Sequence, residues 1–221
     1  MEAQDVMVRD VVTVRPDTSI GDAIKLLSEH DVSALPVVDQ DRKLIGILSE
    51  ADLLDRGEFG HSRPWWVEAL LPGSELAGRF VKSHGQRVDE VMTTDVVTAE
   101  EGSSLSDIAA LLERHRIKRV PIVRDEMLVG VVSRSNLIQA LALSKPAMAA
   151  MDTDRLIRMQ VLERLGEQDW TDFGSRNIIV SDGVVHIWGL VGSEPERRAL
   201  TALAEEVPGV ARVSDEMIPA Y

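Results

Sequence analysis

Apolar positions along residues 1–56 follow two different periods, and each period predicts a different element. The β-branched run VVTV at residues 11–14 predicts a short strand. The period then lengthens, because Ile20, Ile24 and Leu27 recur at the spacing of an amphipathic helix. Two apolar runs, ALPVVD and LIGILS, flank a polar turn and predict a β-hairpin. A second helix is expected over residues 50–56, so this region has the order βαββα.

The same order of apolar runs occurs a second time. The run MVRDVVTV, which begins at Met7, returns as MTTDVVTA 85 residues later, and VSALPVV returns as IKRVPIV at the same offset. The run GILSEADLL returns as GVVSRSNLI after 84 residues, so one residue is lost in the polar turn, where deletions are tolerated. We expect a tandem duplication, with repeats at residues 1–56 and 88–143 that bury their sheet faces against each other. Residues 57–87 are expected to form a helical linker, and residues 144–151 a shorter linker.

Residues 152–221 show a different order of elements, αββαβ. The first helix is expected to have an apolar face made of Leu156, Met159, Leu162 and Leu165. A hairpin follows and turns at the Asp-Gly pair of residues 182–183. The capping box at residues 193–196 begins a second helix, and a last strand is expected over residues 210–218. The chain therefore ends in a small domain unrelated to the repeats.

Composition limits the classes of function. The chain has 221 residues, no cysteine and a formal charge of -13, so disulfides are excluded and an anionic ligand must meet a local cluster of cations. This charge also argues against nucleic-acid binding. There is no signal-peptide pattern and no run of about 18 apolar residues, so a cytoplasmic location is expected.

No catalytic or metal-binding pattern is present in the sequence. There is no phosphate-binding Walker loop, no GxSxG and no histidine spacing typical of zinc sites. His30 and His115 are repeat-related and each ends the first helix of its repeat, where a cation suits the helix dipole. We predict that the chain is not an enzyme.

Three duplicated motifs carry a resemblance to a known family. They are the strand DVVTV or DVVTA, the strand LPVV or VPIV, and the signature GhhSxxD, where h is apolar, which GILSEAD matches in full. With these motifs, residues 5–142 resemble a tandem pair of CBS domains, the regulatory unit called a Bateman module. The resemblance implies a fold of mixed helices and strands, α/β in the broad sense and α+β in the strict one. It also implies a homodimer. It further implies a ligand bound between paired repeats, which is AMP, ADP, ATP or S-adenosylmethionine. It implies no required cofactor.

The same resemblance implies which residues line the two ligand sites. Backbone groups that hydrogen-bond to adenine are expected near Val12, Thr13 and Ala34 in the first repeat, and near Val97, Thr98 and Arg119 in the second. The signature positions at the end of the last strand and the start of the last helix are Ser49, Asp52, Ser133 and Asn136.

The residue types at these positions predict different ligand chemistry in the two repeats. A carboxylate in the first turn of a helix can accept hydrogen bonds from both hydroxyls of a ribose, which fits Asp52. Asn136 offers a single carbonyl acceptor at the equivalent position. By the same resemblance, the cations that phosphates need stand just before the strand proline, where this chain has Lys118 and Arg119. Together with Arg134 they favour a phosphate-bearing ligand at the second repeat. The first site suits a neutral adenosine-like group, or none.

Helix physics offers another explanation for the same residues. Ser49 and Asp52 are also the types favoured as a helix N-cap and a first-turn acid, with no ligand involved. Lys118 and Arg119 can equally be solvated charges at a strand edge. The sequence leaves both alternatives open.

The C-terminal domain resembles a second family. The stretch SDGVVHIWGLVGS within the αββαβ order is similar to a BON domain, which implies contact with a phospholipid surface, another envelope component or another protein. A small domain that only adds stability or dimer area is the open alternative. Residues 152–221 hold 7 basic and 13 acidic side chains, which favours a protein partner over an anionic membrane. Two hypotheses follow for the whole chain. One is a regulatory sensor of an adenine nucleotide that signals through this domain. The other is a tethering protein whose CBS pair is an unliganded dimerisation scaffold.

Overall fold

A computed structural model describes residues 1–54, 85–143, 151–171 and 178–220. The chain divides into two compact units. The first consists of Met1–Asp10, Thr98–Ile122 and Val129–Tyr221, and the second of Val11–Val97 and Val123–Leu128. Helices and strands are mixed in both units, which confirms the α+β class. Most of the helical linker predicted over residues 57–87, and most of the second linker, lie outside the described residues.

The second unit contains the first repeat. Its elements are helix α2 (Ile20–Glu29), strands β1 (Ala34–Val38) and β2 (Leu44–Ser49), and helix α3 (Glu50–Leu54). Helix α2 begins at Ser19, whose hydroxyl accepts the backbone N–H of Asp22 at 3.1 Å, and it ends at His30 as predicted. Strands β1 and β2 pair antiparallel and bury Leu35, Val37 and Leu48 against α2.

Two details of this repeat differ from the prediction. The strand expected at residues 11–14 is reduced to one parallel bridge between Val14 and Val37. Val14 exchanges backbone hydrogen bonds with Pro36 and Val38 at 3.1 and 3.0 Å. The chain turns directly after it, where the N–H of Arg15 is bound to the side chain of Thr18 at 3.0 Å. Ile24 was expected on the buried face of α2, yet it is half exposed, and Ala23 occupies the core instead.

The second repeat lies mostly in the first unit. Its elements are strand β3 (Ala99–Glu100), helix α5 (Leu105–Arg114), strands β4 (Arg119–Arg124) and β5 (Met127–Ser133), and helix α6 (Arg134–Ala142). The strands form a sheet of order β3, β4, β5. The leading strand is again shorter than predicted and begins only at Ala99. Ile108 and Leu112 of α5 are buried in the core of this repeat, and His115 ends the helix as expected.

The C-terminal domain has the predicted order αββαβ. Its elements are helix α7 (Met151–Gly166), strands β6 (Ile178–Ser181) and β7 (Val184–Val191), helix α8 (Glu194–Glu205) and strand β8 (Arg212–Pro219). Strand β7 is central and pairs antiparallel with β6 and parallel with β8. The turn at Asp182 and Gly183 is held by both carboxylate oxygens of Asp154, each 2.8 Å from a backbone nitrogen of the turn.

The buried face of α7 matches the prediction only in part, at the buried Leu165 and the half-buried Leu162. Leu156 and Met159 are half exposed, whereas Ile157, Val161 and Leu165 are buried in the core of the C-terminal domain. These three residues follow the i, i+4, i+8 spacing of one helix face. The prediction missed the rest of this face because the apolar residues of α7 surround more than half of the helix.

The first residues of each repeat pack on the other repeat, so the two leading segments are exchanged. Helix α1 (Ala3–Val6) and the bridge between Val8 and Val131 place the start of the chain on the second repeat. Helix α4 (Val88–Val91) and the bridge between Thr93 and Ile47 place the start of the second repeat on the first. Each unit is therefore built from residues distant in the sequence.

Both exchanged segments come close to a glycine of the GhhSxxD signature. A Cβ added at Gly46 would lie 2.5 Å from the sulfur of Met92, and one at Gly130 would lie 2.6 Å from the sulfur of Met7. The glycine thus provides the space in which the exchanged methionine packs. No helix in the described parts of the chain has the length and apolar character needed to cross a bilayer.

Candidate functional site

In the first repeat, the signature residues form a reciprocal helix cap. Ser49 ends β2, and its backbone N–H and hydroxyl donate to Oδ2 of Asp52 at 2.9 and 2.6 Å. The N–H of Asp52 points back to the Ser49 hydroxyl at 3.4 Å. The other carboxylate oxygen, Oδ1, accepts the hydroxyl of Thr93 at 2.9 Å. Both carboxylate oxygens of Asp52 therefore accept hydrogen bonds within the chain.

The second repeat has the same cap with an amide in place of the acid. The N–H and hydroxyl of Ser133 donate to Oδ1 of Asn136 at 2.8 and 2.7 Å, and the N–H of Asn136 donates to the Ser133 hydroxyl at 3.3 Å. Asn136 is buried, at 3% exposure. One carbonyl oxygen suffices for this cap, because both donors of Ser133 meet the same acceptor atom. Asparagine at this position therefore preserves the start of α6.

A second backbone contact joins the start of the hairpin to the start of the last helix in each repeat. In the second repeat, the N–H of Arg134 donates to the carbonyl of Lys118 at 3.2 Å. In the first, the N–H of Glu50 donates to the carbonyl of Ser33 at 3.1 Å. The two repeats thus share one backbone frame, which consists of the strand end, the helix start and the residue before the hairpin.

The shared frame carries opposite charges in the two repeats. Lys118 and Arg134 occupy the second frame, where the first has Ser33 and Glu50. Arg119 follows Lys118 at the start of β4. The second frame is therefore the cationic one, and its contact with an anionic ligand stays a prediction.

The structure brings together some of the predicted site residues. Ala34 is the register partner of Ser49, so these two residues and Asp52 share one end of the first hairpin. Four further predicted residues lie in the extended segments that lead into the repeats, and they are partly buried or exposed. They are Val12, Thr13, Val97 and Thr98. Their contact with a ligand stays a prediction.

Thr93 was missed by the sequence-based reasoning, although a comparison of the repeats contains the signal. It donates to Asp52, the acid of the first signature. The equivalent position in the other exchanged segment is Val8, which has no side-chain donor, and the equivalent of the acid is Asn136. A donor threonine thus accompanies the acid in one repeat, and both are replaced in the other.

Comparison with known proteins agrees with this geometry. The CBS domain family matches residues 3–58 and 88–143, and the BON domain family matches residues 153–218. Inosine-5'-monophosphate dehydrogenase of Methanocaldococcus jannaschii is 30% identical over 62% of this chain, which spans only 23% of that enzyme. The CBS domain-containing protein YhcV of Bacillus subtilis is 34% identical over 61% of this chain and 81% of its own length.

A solved structure is similar to the CBS part of this chain. The crystal structure of CBSX2 from Arabidopsis thaliana in complex with AMP is 30% identical, with a TM-score of 0.57, and the match covers 65% of this chain and 99% of that one. The dehydrogenase match is confined to its CBS part. The chain belongs to the CBS domain family, as a tandem CBS pair followed by a C-terminal BON domain.

Proposed function

We propose that this protein is a non-catalytic regulator whose CBS pair binds an adenine nucleotide and transmits the resulting change to its BON domain. The observation that carries the proposal is that the frame of the second repeat holds two cationic residues, Lys118 and Arg134. The chain is also similar to a CBS pair crystallised with AMP. Lys118, Arg119 and Arg134 supply the positive charge that a phosphate group needs. The overall charge of -13 makes such a local cluster necessary for an anionic ligand.

Replacement of Lys118 and Arg119 by alanine is expected to weaken AMP binding at least tenfold, about 1.4 kcal/mol. The physical reason is the loss of charge-assisted hydrogen bonds, each worth roughly 1.5–3 kcal/mol. Isothermal titration calorimetry with AMP measures the effect. The control removes two exposed cations of helices α2 and α5, Lys25 and Arg114, and therefore makes the same change in net charge. Equal affinities in the two double variants would refute this placement of the phosphate.

The proposed regulator acts as a homodimer, through helix α6. Ile138 and Leu141 lie one turn apart on this helix and are 67% and 84% exposed. Two large apolar side chains in water on one helix face favour burial against a second copy of the chain. We expect Ile138→Asp with Leu141→Asp to convert dimer to monomer in light scattering. Ala109→Asp with Ala110→Asp, at two exposed positions of helix α5, adds the same charge elsewhere and should stay dimeric. A dimer that persists in the double variant would exclude this surface.

One observation favours the tethering hypothesis as a second candidate. Asp52 and Asn136 already accept hydrogen bonds from their own caps, as an unliganded scaffold requires. In this case the BON domain makes the functional contact with a protein or membrane partner regardless of nucleotide. Thermal unfolding of the full chain with AMP separates the candidates, because a ligand of the native state raises the melting temperature. A sensor shows a rise that disappears in the Lys118 and Arg119 variant, and a tether shows none.

A further inference from the structure

Two arginines of helix α7 hold the start of the chain. We call residues 1–8 the N-terminal segment. Nε of Arg155 donates to Oδ1 of Asp5 at 2.7 Å, and its Nη2 donates to Oε2 of Glu2 at 2.8 Å. The carboxylate of Asp5 also accepts the N–H of Glu2 at 2.7 Å, which caps α1. The BON domain is therefore attached to a segment that belongs to the CBS part of the sequence.

Arg158, one turn further along α7, makes a deeper connection. It is buried, at 4% exposure. Its Nε donates to the carbonyl of Ile178 in β6 at 2.7 Å, while Nη2 and Nη1 donate to the carbonyls of Met7 and Gln4 at 2.7 and 3.2 Å. Burial lowers the pKa of Arg158 to about 10, so the side chain stays charged near neutral pH. A buried charge is costly without hydrogen-bond partners, and two of these carbonyls are present only while the N-terminal segment is docked.

The opposite side of the N-terminal segment is bound to the second CBS repeat. Val8 and Val131 exchange both of their backbone hydrogen bonds, each at 2.9 Å. The N–H groups of Ala3 and Gln4 donate to the carbonyls of Ser103 and Glu101 at 2.9 and 3.0 Å. Val131 lies in β5, two residues before Ser133, which caps α6 in the cationic frame. The segment thus connects the frame with the BON domain.

We infer that the N-terminal segment is a shared docking element that couples the second CBS repeat to the BON domain. Docking of residues 1–8 provides hydrogen-bond partners for Val131 of β5 on one side, and for the two arginines of α7 on the other. Any change that favours the docked segment on one side therefore stabilises the contact on the other, and this coupling is reciprocal. The part of the inference that concerns nucleotide rests on the proposed function.

The coupling is first tested without ligand, by hydrogen exchange in the full chain. The backbone N–H groups of Ala3, Gln4, Val8 and Val131 are protected by the docked segment, so their exchange rates report its release. Arg155→Met removes contacts only on the BON side, and we expect it to accelerate exchange at these groups at least tenfold. The control is Arg164→Met on the same helix, whose partner is the exposed Glu206 at 3.7 Å. Unchanged rates in Arg155→Met would overturn the inference.

A second variant guards against a general loss of structure. Asp5→Asn keeps an acceptor for the N–H of Glu2 but removes the charge that Arg155 binds. If the contact acts as a pair, the double variant with Arg155→Met exchanges no faster than Arg155→Met alone. Fully additive effects of the two changes would show that the ion pair does not hold the segment, and the inference would fall.

Addition of AMP tests the nucleotide part. In the wild-type chain, AMP is expected to slow exchange both at Val131 and at the buried guanidinium protons of Arg158, followed by NMR. In Arg155→Met, where Arg158 still binds the carbonyls of Met7 and Gln4, AMP should slow exchange at Val131 and have a smaller effect at Arg158 than in the wild type. Slowing at Val131 without any change at Arg158 in the wild type would refute the coupling. If calorimetry shows that AMP does not bind, the proposed function fails, and the ligand-free measurements still decide the coupling.

Discussion

Replacement of Gly130 by valine is expected to release the N-terminal segment and to lower the free energy of unfolding by more than about 1–3 kcal/mol, the usual cost of overpacking. A Cβ at this position would lie 2.6 and 2.9 Å from Sδ and Cγ of Met7 and 3.0 Å from the carbonyl oxygen of Val8. Valine adds two further methyl groups in the same direction. The site therefore cannot hold both the new side chain and the docked segment.

The surroundings leave little room for adjustment. Met7 is fully buried in the core of the second repeat, so its flexible side chain has no solvent to move into. The carbonyl of Val8 is fixed by its hydrogen bond to the N–H of Val131 at 2.9 Å. Relief requires the backbone of the segment to move away from β5, which breaks that bond. The cost therefore includes lost hydrogen bonds as well as strain.

Denaturant unfolding monitored by circular dichroism measures the effect. Gly102→Ala is the control, because nothing lies within 4 Å of a Cβ added there. Met7→Ala shortens the opposing side chain, so the double variant with Gly130→Val should lose less stability than the sum of the two single variants. Strict additivity, or a Gly130→Val variant as stable as wild type, would show that the glycine is not required for close approach.

The repeat and most of its elements could be predicted, because they depend on local patterns. The hairpin strands, the caps at Ser49 and Ser193 and the helix ends at His30 and His115 all follow from residues close together in the sequence. The exchange of the leading segments could not be predicted in the same way. It depends on contacts between residues far apart in the sequence, such as Val8 with Val131 and Ile47 with Thr93, and apolar periodicity carries no information about such pairings.

The candidate site was predicted in part for the same reason. The cap residues Ser49 and Asp52 are neighbours in sequence, so their contact follows from helix geometry. Thr93 reaches Asp52 across 41 positions, and only the tertiary fold brings them together. Arg158 was overlooked because a cation on a helix is normally solvated. Its burial reflects two packed sides of α7, which a single hydrophobic face does not indicate.

Ile179→Ala is the second prediction with a large expected effect, about 2–5 kcal/mol of unfolding free energy. Ile179 and its neighbour Ile178 are fully buried on opposite faces of β6. Ile178 packs in the core of the BON domain, whereas Ile179 packs with Met7 in the core of the second CBS repeat. A side chain of the BON domain therefore completes the core of a CBS repeat.

The matched variant Ile178→Ala separates the two cores, because it removes the same atoms from the same strand. Both variants should unfold at lower denaturant concentration. Only Ile179→Ala should also accelerate hydrogen exchange at Val8 and Val131, since its cavity opens beside the N-terminal segment. If the two variants exchange equally at these groups, the cores do not respond separately, and Ile179 stabilises the chain only through its own domain. If Ile179→Ala is the faster of the two, the BON domain is part of the second CBS repeat's core, and its removal must weaken that repeat.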